Sequence, residues 1–228
     1  MGDEPRPVAG TTPTPGPGSG DALDVVWCGR ERFAPCLERQ LAAREALVRG
    51  EGPPTLFLVE HPPVLTLGRR GARSDILWPD EALADRGIEV CESPRGGEVT
   101  LHAPGQLVAY PVVYVGKRIR AHIVRLADTA RALLAEVGVP GTEFRMEHPG
   151  VWLGRRKLAS IGIHVSRGVA VQGISINLGV DPDLFSALVS CGTPDIRMTS
   201  AADLGAEPPP MREAADRFAA LWRASATP

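Results

Sequence analysis

Three side chains stand out for the chemistry they could do: an imidazole at His102, an amine at Lys157 and a thiol at Cys191. His102 lies in Arg95–Pro111, RGGEVTLHAPGQLVAYP, between the turn-forming pairs Gly96-Gly97 and Pro104-Gly105. The apolar runs between and after those turns read as paired short strands. Thr100 and His102 fall on one face of such a strand, and Gly-Gly lets a backbone pass close to another molecule or take positive φ. An ordinary hairpin with a surface histidine has the same spacing, so both readings stay open on this segment alone.

Lys157 is marked by rarity. Of 25 basic residues only Lys117 and Lys157 are lysines. Arginine does not release its proton in a protein, whereas a lysine can when burial and neighbouring charge favour the free amine. Lys157 follows Arg155-Arg156 and opens a small, apolar run to Val165 that is unlike an exposed charged loop. Arginine-rich codon usage would leave the same pattern without any function. Cys191 sits in Ser190-Cys191-Gly192-Thr193-Pro194, a loop of turn formers where a thiol gains little by packing. The other three cysteines, Cys28, Cys36 and Cys91, fall in element-like patterns and read as small buried or half-buried hydrophobes. No CxxC pair or Cys/His spacing resembles a zinc site, so no metal is expected.

These groups need a scaffold, and 228 residues suit one α/β-type domain with a sizeable core. Residues 1–20, ending TTPTPGPGSG, lack apolar periodicity and are expected to be a disordered extension, leaving 21–224 as the catalytic domain. No signal-peptide core and no membrane-length apolar run occurs, which points to a cytoplasmic chain with reduced thiols. A net charge of −2 gives no general affinity for nucleic acid. Basic clusters at Arg69-Arg70-Arg73, Lys117-Arg118-Arg120 and Arg155-Arg156-Lys157 are candidate docking sites for an acidic partner or plain solvated surface.

Periodicity predicts strands at 22–27, 55–60, 64–67, 88–91, 99–102, 107–114, 151–153, 158–165 and 169–178. Helices are predicted at 32–49, 80–86, 120–137, 183–189 and 211–223. Strand pairs joined by short turns, without a βαβ rhythm, imply an α+β fold whose mixed, mostly antiparallel sheet carries flanking helices. There is no GxxxxGK[ST] loop and no GxGxxG after a strand, so the standard phosphate cradles are absent.

Three segments, RGGEVTLHAPGQLVAYPVV, GVWLGRRKLASIGIHVSR and INLGVDPDLFSALVSCG, resemble in order the signature segments of lipoyl(octanoyl) transferases. The resemblance runs from about Ala22 to Leu204 and implies the fold of the biotin/lipoate protein ligase catalytic domain. It implies octanoyl transfer from octanoyl-acyl carrier protein to a lysine of lipoyl domains, such as those of 2-oxoacid dehydrogenases and the glycine cleavage H protein. It makes Cys191 the nucleophile and Lys157 its partner. It assigns substrate binding to Arg95, Gly96, Gly97, Glu98, Val99, Thr100, Leu101 and His102, to Ser160, Ile161 and Gly162, and to Gly173, Ile174 and Ser175. No cofactor is implied. Two positions depart from the family: Gln172 stands where His is usual, and Ser190 where Pro is usual. A glutamine carries no proton near neutral pH, so any such role is absent or moved, with His102 as the candidate.

The implied chemistry is acyl transfer through a thioester. An ordinary cysteine is only a few per cent thiolate at pH 7, and an adjacent cation raises that fraction. Exchange of one thioester for another is near balance and needs no ATP; attack by a lysine amine then runs downhill to an amide. Two other readings share the fold and residues. One is an ATP-dependent lipoate or biotin ligase in which Lys157 holds an acyl phosphate. The other is a non-catalytic homologue that binds acyl carriers or lipoyl domains.

Overall fold

In the computed structural model, residues 23–189 and 196–225 are described. The N-terminal extension and the Ser190-Cys191 loop expected from the sequence lie outside them. Strand β1 (Asp24–Arg30) and strand β2 (Thr55–Glu60) pair in parallel, because helix α1 (Phe33–Arg49) returns the chain between them. Strands β3 (Val64–Leu67), β4 (Glu89–Glu92) and β5 (Val99–His102) form a separate three-stranded sheet in the order β4-β3-β5. A short helix α2 (Asp80–Asp85) precedes β4.

The chain then re-enters the large sheet through β6 (Gln106–Tyr114), and helix α3 (Ile119–Glu136) crosses one face. Strands β7 (Glu143–Arg145), β8 (Gly150–Leu153), β9 (Arg156–Ser166) and β10 (Val169–Asn177) complete an order of β1-β2-β6-β10-β9-β8-β7. A two-residue strand, β11 (Arg197–Met198), pairs in parallel with the start of β9. Helix α4 (Met211–Ala224) lies beside α3. All large-sheet pairings other than β1–β2 and β11–β9 are antiparallel. This is the expected α+β class. No helix among the described residues is long and apolar enough to cross a membrane.

Period-2 alternation with helices on both faces explains why the central strands are apolar almost throughout. Leu56, Leu58, Leu107 and Ala109 face α3 and α4, packing on Leu126, Leu133, Phe218 and Trp222. Their neighbours Phe57, Val59, Val108 and Tyr110 face α1 and surround Cys36. Each large side chain so buried contributes about 1.5–3 kcal/mol relative to exposure.

Two expectations are corrected. The runs on either side of Pro104-Gly105 are not a hairpin: β5 pairs with β3 in the small sheet, while β6 joins the large one. Gly105 makes that transfer possible. Its φ is 89° and a Cβ there would lie 2.4 Å from the Val180 nitrogen, so the chain turns tightly against another backbone. The helix predicted at 183–189 is instead a 3-10 turn over Pro182–Ala187, begun by the Asp181 carboxylate accepting from the Asp183 amide (2.9 Å).

Candidate active site

The small sheet and the large sheet meet around a cavity of about 330 Å³, within the range of small-molecule sites. Its lining takes the loop Arg95–Glu98, then Val99, Thr100 and His102 from β5, Ser160–Ile163 from β9 and Gln172–Ser175 from β10. Thr100 and His102 share the lining as alternation on one strand face requires. Opposed pairs Gly162↔Gly173, Ile161↔Ile174 and Ser160↔Ser175 place two of the expected segments side by side. Lys157 lines the same cavity. Leu101 does not: it is buried in the core of the small sheet, and its carbonyl accepts from Gln106 Nε2 (3.1 Å). Cys191 lies outside the described residues.

Lys157 is 2% exposed, a rare state for a lysine. Its stem passes over Gly150, where a Cβ would come within 2.6 Å of Lys157 Cε and 2.1 Å of the Ala159 oxygen. Its Nζ sits 5.2 Å from the ring centre of Trp152. A polar chain ties the lysine's backbone to His102. The Thr199 amide donates to the Lys157 carbonyl (3.1 Å), Asn177 Nδ2 donates to the Thr199 carbonyl (2.9 Å), and Gln106 Nε2 donates to Asn177 Oδ1 (2.9 Å). Gln106 Oε1 then accepts from His102 Nδ1 (3.1 Å), which fixes the imidazole with its proton on Nδ1.

That geometry bears on the proton-carrying role expected to be absent or moved to His102, since it sets the charge state of the imidazole. Burial, then the charges of His61 and Arg95, hold its pKa well below the usual histidine value. His102 is therefore held in its neutral form in the cavity wall, with Nδ1 committed to Gln106. Its neighbour His61 is also lowered by burial; Nδ1 of His61 donates to the Glu31 carbonyl (2.6 Å) and its Nε2 accepts from Tyr110 (3.0 Å).

Arg95 shapes the loop. Its Nε and Nη2 donate to Thr66 Oγ1 (3.2 and 2.8 Å), Nη2 also to the Thr66 carbonyl (2.6 Å), and Nη1 to the Gly96 carbonyl (3.1 Å). The guanidinium thereby staples Arg95–Glu98 to β3. Its stem lies over Gly162, where a Cβ would be 3.0 Å from Arg95 Cδ. Glu98 pairs with exposed Arg70 (2.9 Å) at the cavity rim.

Gln172 lies in the wall with a φ of 62°. On the β6–β10 register it stands opposite Pro111, which has no N–H for the ladder. The Gln172 N–H goes instead to Gln40 of α1, whose Oε1 accepts from the Gln172 amide (3.0 Å) and from Gln172 Nε2 (2.9 Å). Ser93 Oγ donates to Gln172 Oε1 (3.2 Å). Val108, Tyr110, Ile123, Ile163 and His148 also line the cavity, and sequence reasoning missed them. Val108 and Tyr110 share one face of β6, so alternation held part of that signal; Ile123 and His148 reach the site only through tertiary packing.

A family model described as the lipoyl protein ligase A/B catalytic domain matches residues 36–222. An octanoyltransferase of Nitratidesulfovibrio vulgaris is 38% identical over 206 residues, covering 89% of this chain and 94% of the relative. One from Alkaliphilus metalliredigens is 37% identical over 185 residues, covering 80% and 85%. Among solved structures, lipoate-protein ligase A bound with ATP superposes with a TM-score of 0.69 at 15% identity, covering 89% of this chain and 84% of that one. A bipartite lipoate protein ligase from Thermoplasma acidophilum gives 0.65 at 15% identity, covering 90% and 84%. At that identity the structural likeness bears on the fold alone.

Proposed function

We propose that this chain, which belongs to the lipoyl protein ligase A/B catalytic-domain family and is an acyltransferase, moves octanoyl from acyl carrier protein to a lipoyl-domain lysine through a thioester on Cys191. The observation that carries the reading is buried Lys157 sharing one cavity with the Arg95–His102, Ser160–Ile163 and Gln172–Ser175 walls.

In the first step the Cys191 sulfur attacks the thioester carbonyl of octanoyl-acyl carrier protein, and the carrier's thiolate leaves. The Lys157 ammonium favours the attacking thiolate and gives the leaving sulfur its proton. In the second step the ε-amine of the acceptor lysine attacks the Cys191 thioester. Lys157, now neutral, takes the amine's proton. The amide forms as the Cys191 thiolate leaves, so thiolate and ammonium are restored, with no nucleotide or metal consumed. Ile161, Ile163, Ile174 and Val108 supply an apolar wall for the acyl chain, where each methylene buried is worth about 0.8 kcal/mol. The acceptors are lipoyl domains of 2-oxoacid dehydrogenases and the glycine cleavage H protein, and the setting is the cytoplasm. Exposed Arg69 and Arg155, with Arg70 at the rim, suit acidic carrier domains.

Intact-mass measurement after mixing with octanoyl-acyl carrier protein tests the reading. A gain of one octanoyl group, absent in Cys191→Ser and discharged by a lipoyl domain, is the expected result. Octanoate-dependent pyrophosphate release from ATP without an adduct would replace it with the ligase reading. Tight carrier binding with neither product would leave a binding protein.

A further inference from the structure

A second cluster of reactive side chains lies on the α1 side of the sheet and takes no part in the chemistry above. Cys28 of β1, Glu31 in the turn that follows, and Cys36 in the first turns of α1 bring two sulfurs and a carboxylate oxygen within 4.8 Å of one another. Among the described residues no other three cysteine, histidine or acidic side chains converge in this way. Cys36 is fully buried, while Cys28 and Glu31 are half-buried, so the cluster has a closed floor and an open mouth. The turn is held from two sides: His61 Nδ1 donates to the Glu31 carbonyl (2.6 Å), and Arg39 pairs with the Glu31 carboxylate (3.0 Å).

We propose that Cys28, Glu31 and Cys36 bind one thiophilic divalent cation of the zinc class, a solvent oxygen completing a tetrahedron. Two thiolates and one carboxylate suit such an ion, whereas magnesium and calcium require all-oxygen shells. With Zn–S bonds near 2.3 Å a tetrahedral edge between two sulfurs is roughly 3.8 Å, so side-chain adjustments of about 1 Å close the site. On binding, each S–H bond breaks, its proton passes to solvent, and the electron pair goes to the metal; nothing is oxidised or reduced. Three anionic ligands around a dication leave one net negative charge, which the Arg39 guanidinium on Glu31 offsets. The spacing C-x2-E-x4-C resembles no common zinc pattern, so spacing alone carries no signal for it.

An outer-shell partner is already in place. Gln40 Nε2 donates to Cys36 Sγ (3.7 Å), while the same side chain's Oε1 holds Gln172 in the cavity wall. Metal at Cys36 thus lies two hydrogen bonds from the acyl cavity. Binding itself does not depend on the acyl-transfer reading.

The full-length, reduced, chelator-treated chain is titrated with Cd²⁺, following the cadmium–thiolate charge-transfer absorption, and then with Zn²⁺ as competitor. One equivalent is expected to saturate the band and zinc to displace it. Cys91→Ser is expected to retain the band and Cys28→Ser, at a half-exposed position, to lose most of it. Glu31→Gln keeps both sulfurs and the fold; it is expected to weaken binding by more than the roughly 10- to 100-fold typical of losing an outer-shell partner. No band in the reduced chain, or a Cys28→Ser band as strong as the parent's, would overturn the proposal. So would a chain that refuses metal yet becomes lighter by two hydrogens on mild oxidation, with that loss absent in Cys28→Ser and kept in Cys91→Ser, since that marks Cys28 as one half of a disulfide pair.

Discussion

Acid should destabilise this fold, and His122 is where the effect can be isolated. His122 projects from α3 against Trp222, with ring centres 5.9 Å apart and planes at 88°. Its Nε2 is buried without a hydrogen-bond partner, alone in this among the described side-chain nitrogens and oxygens. Burial first, and then the Arg125 guanidinium, push its pKa down from 6.5 to about 4. The folded pKa lies below the unfolded one, so the contribution is fully present above about pH 6.5 and is lost as pH falls toward 4. Between pH 7 and pH 5 the unfolded chain takes up a proton at this imidazole and the folded chain does not. That difference amounts to about 2 kcal/mol. Urea unfolding of the parent and of His122→Leu at both pH values is the assay. His61 and His102 add losses of the same sign to both proteins, so they cancel in the difference. The parent should lose about 2 kcal/mol more than the variant between pH 7 and pH 5. Equal losses would refute the reasoning, because the buried imidazole would then be exchanging protons as freely folded as unfolded.

Replacing Lys157 by Arg keeps a cation but removes the exchangeable proton. The acyl-enzyme should still accumulate in the mass measurement, since the carrier thiolate can leave and take its proton from water, while single-turnover transfer to the acceptor falls about 10²- to 10⁴-fold. Transfer at the parent rate would leave the residue as a charge only. Gly150→Ala drives a methyl into the Ala159 carbonyl and the lysine stem. It should cost about 1–3 kcal/mol in urea titration and slow turnover as well, and an unchanged midpoint would count against the packing described. Charge reversal at Arg155 and Arg156 should slow association with the acyl carrier and flatten its salt dependence in stopped-flow measurements, leaving the unimolecular step intact. A rate that ignores the reversal would move docking elsewhere.

Composition and periodicity were enough to locate most elements, because strand alternation and helix spacing are local properties of the chain. Strands β3 and β5 occupy the predicted residues, and α1 ends at the expected glycine with a φ of 71°. Strands as short as β7 and β11 carry no readable period, and they emerge only as partners of longer strands. Sheet membership was not local either. Nothing near Pro104-Gly105 says that β5 and β6 belong to different sheets, since the choice depends on β3 and on the Gly179-Val180 backbone.

The site divides along the same line. Rarity singles out Lys157, and strand alternation alone puts Thr100 beside His102. Only packing decided that the lysine is buried over Gly150 beneath Trp152. Packing likewise held His102 in its neutral form against Gln106, and gave Gln172 a partner in Gln40, 132 residues away. Burial and long-range hydrogen bonding set what a side chain can do, and both belong to the assembled molecule. The sequence therefore determined which residues could act, while the tertiary structure decided the environment in which each of them does.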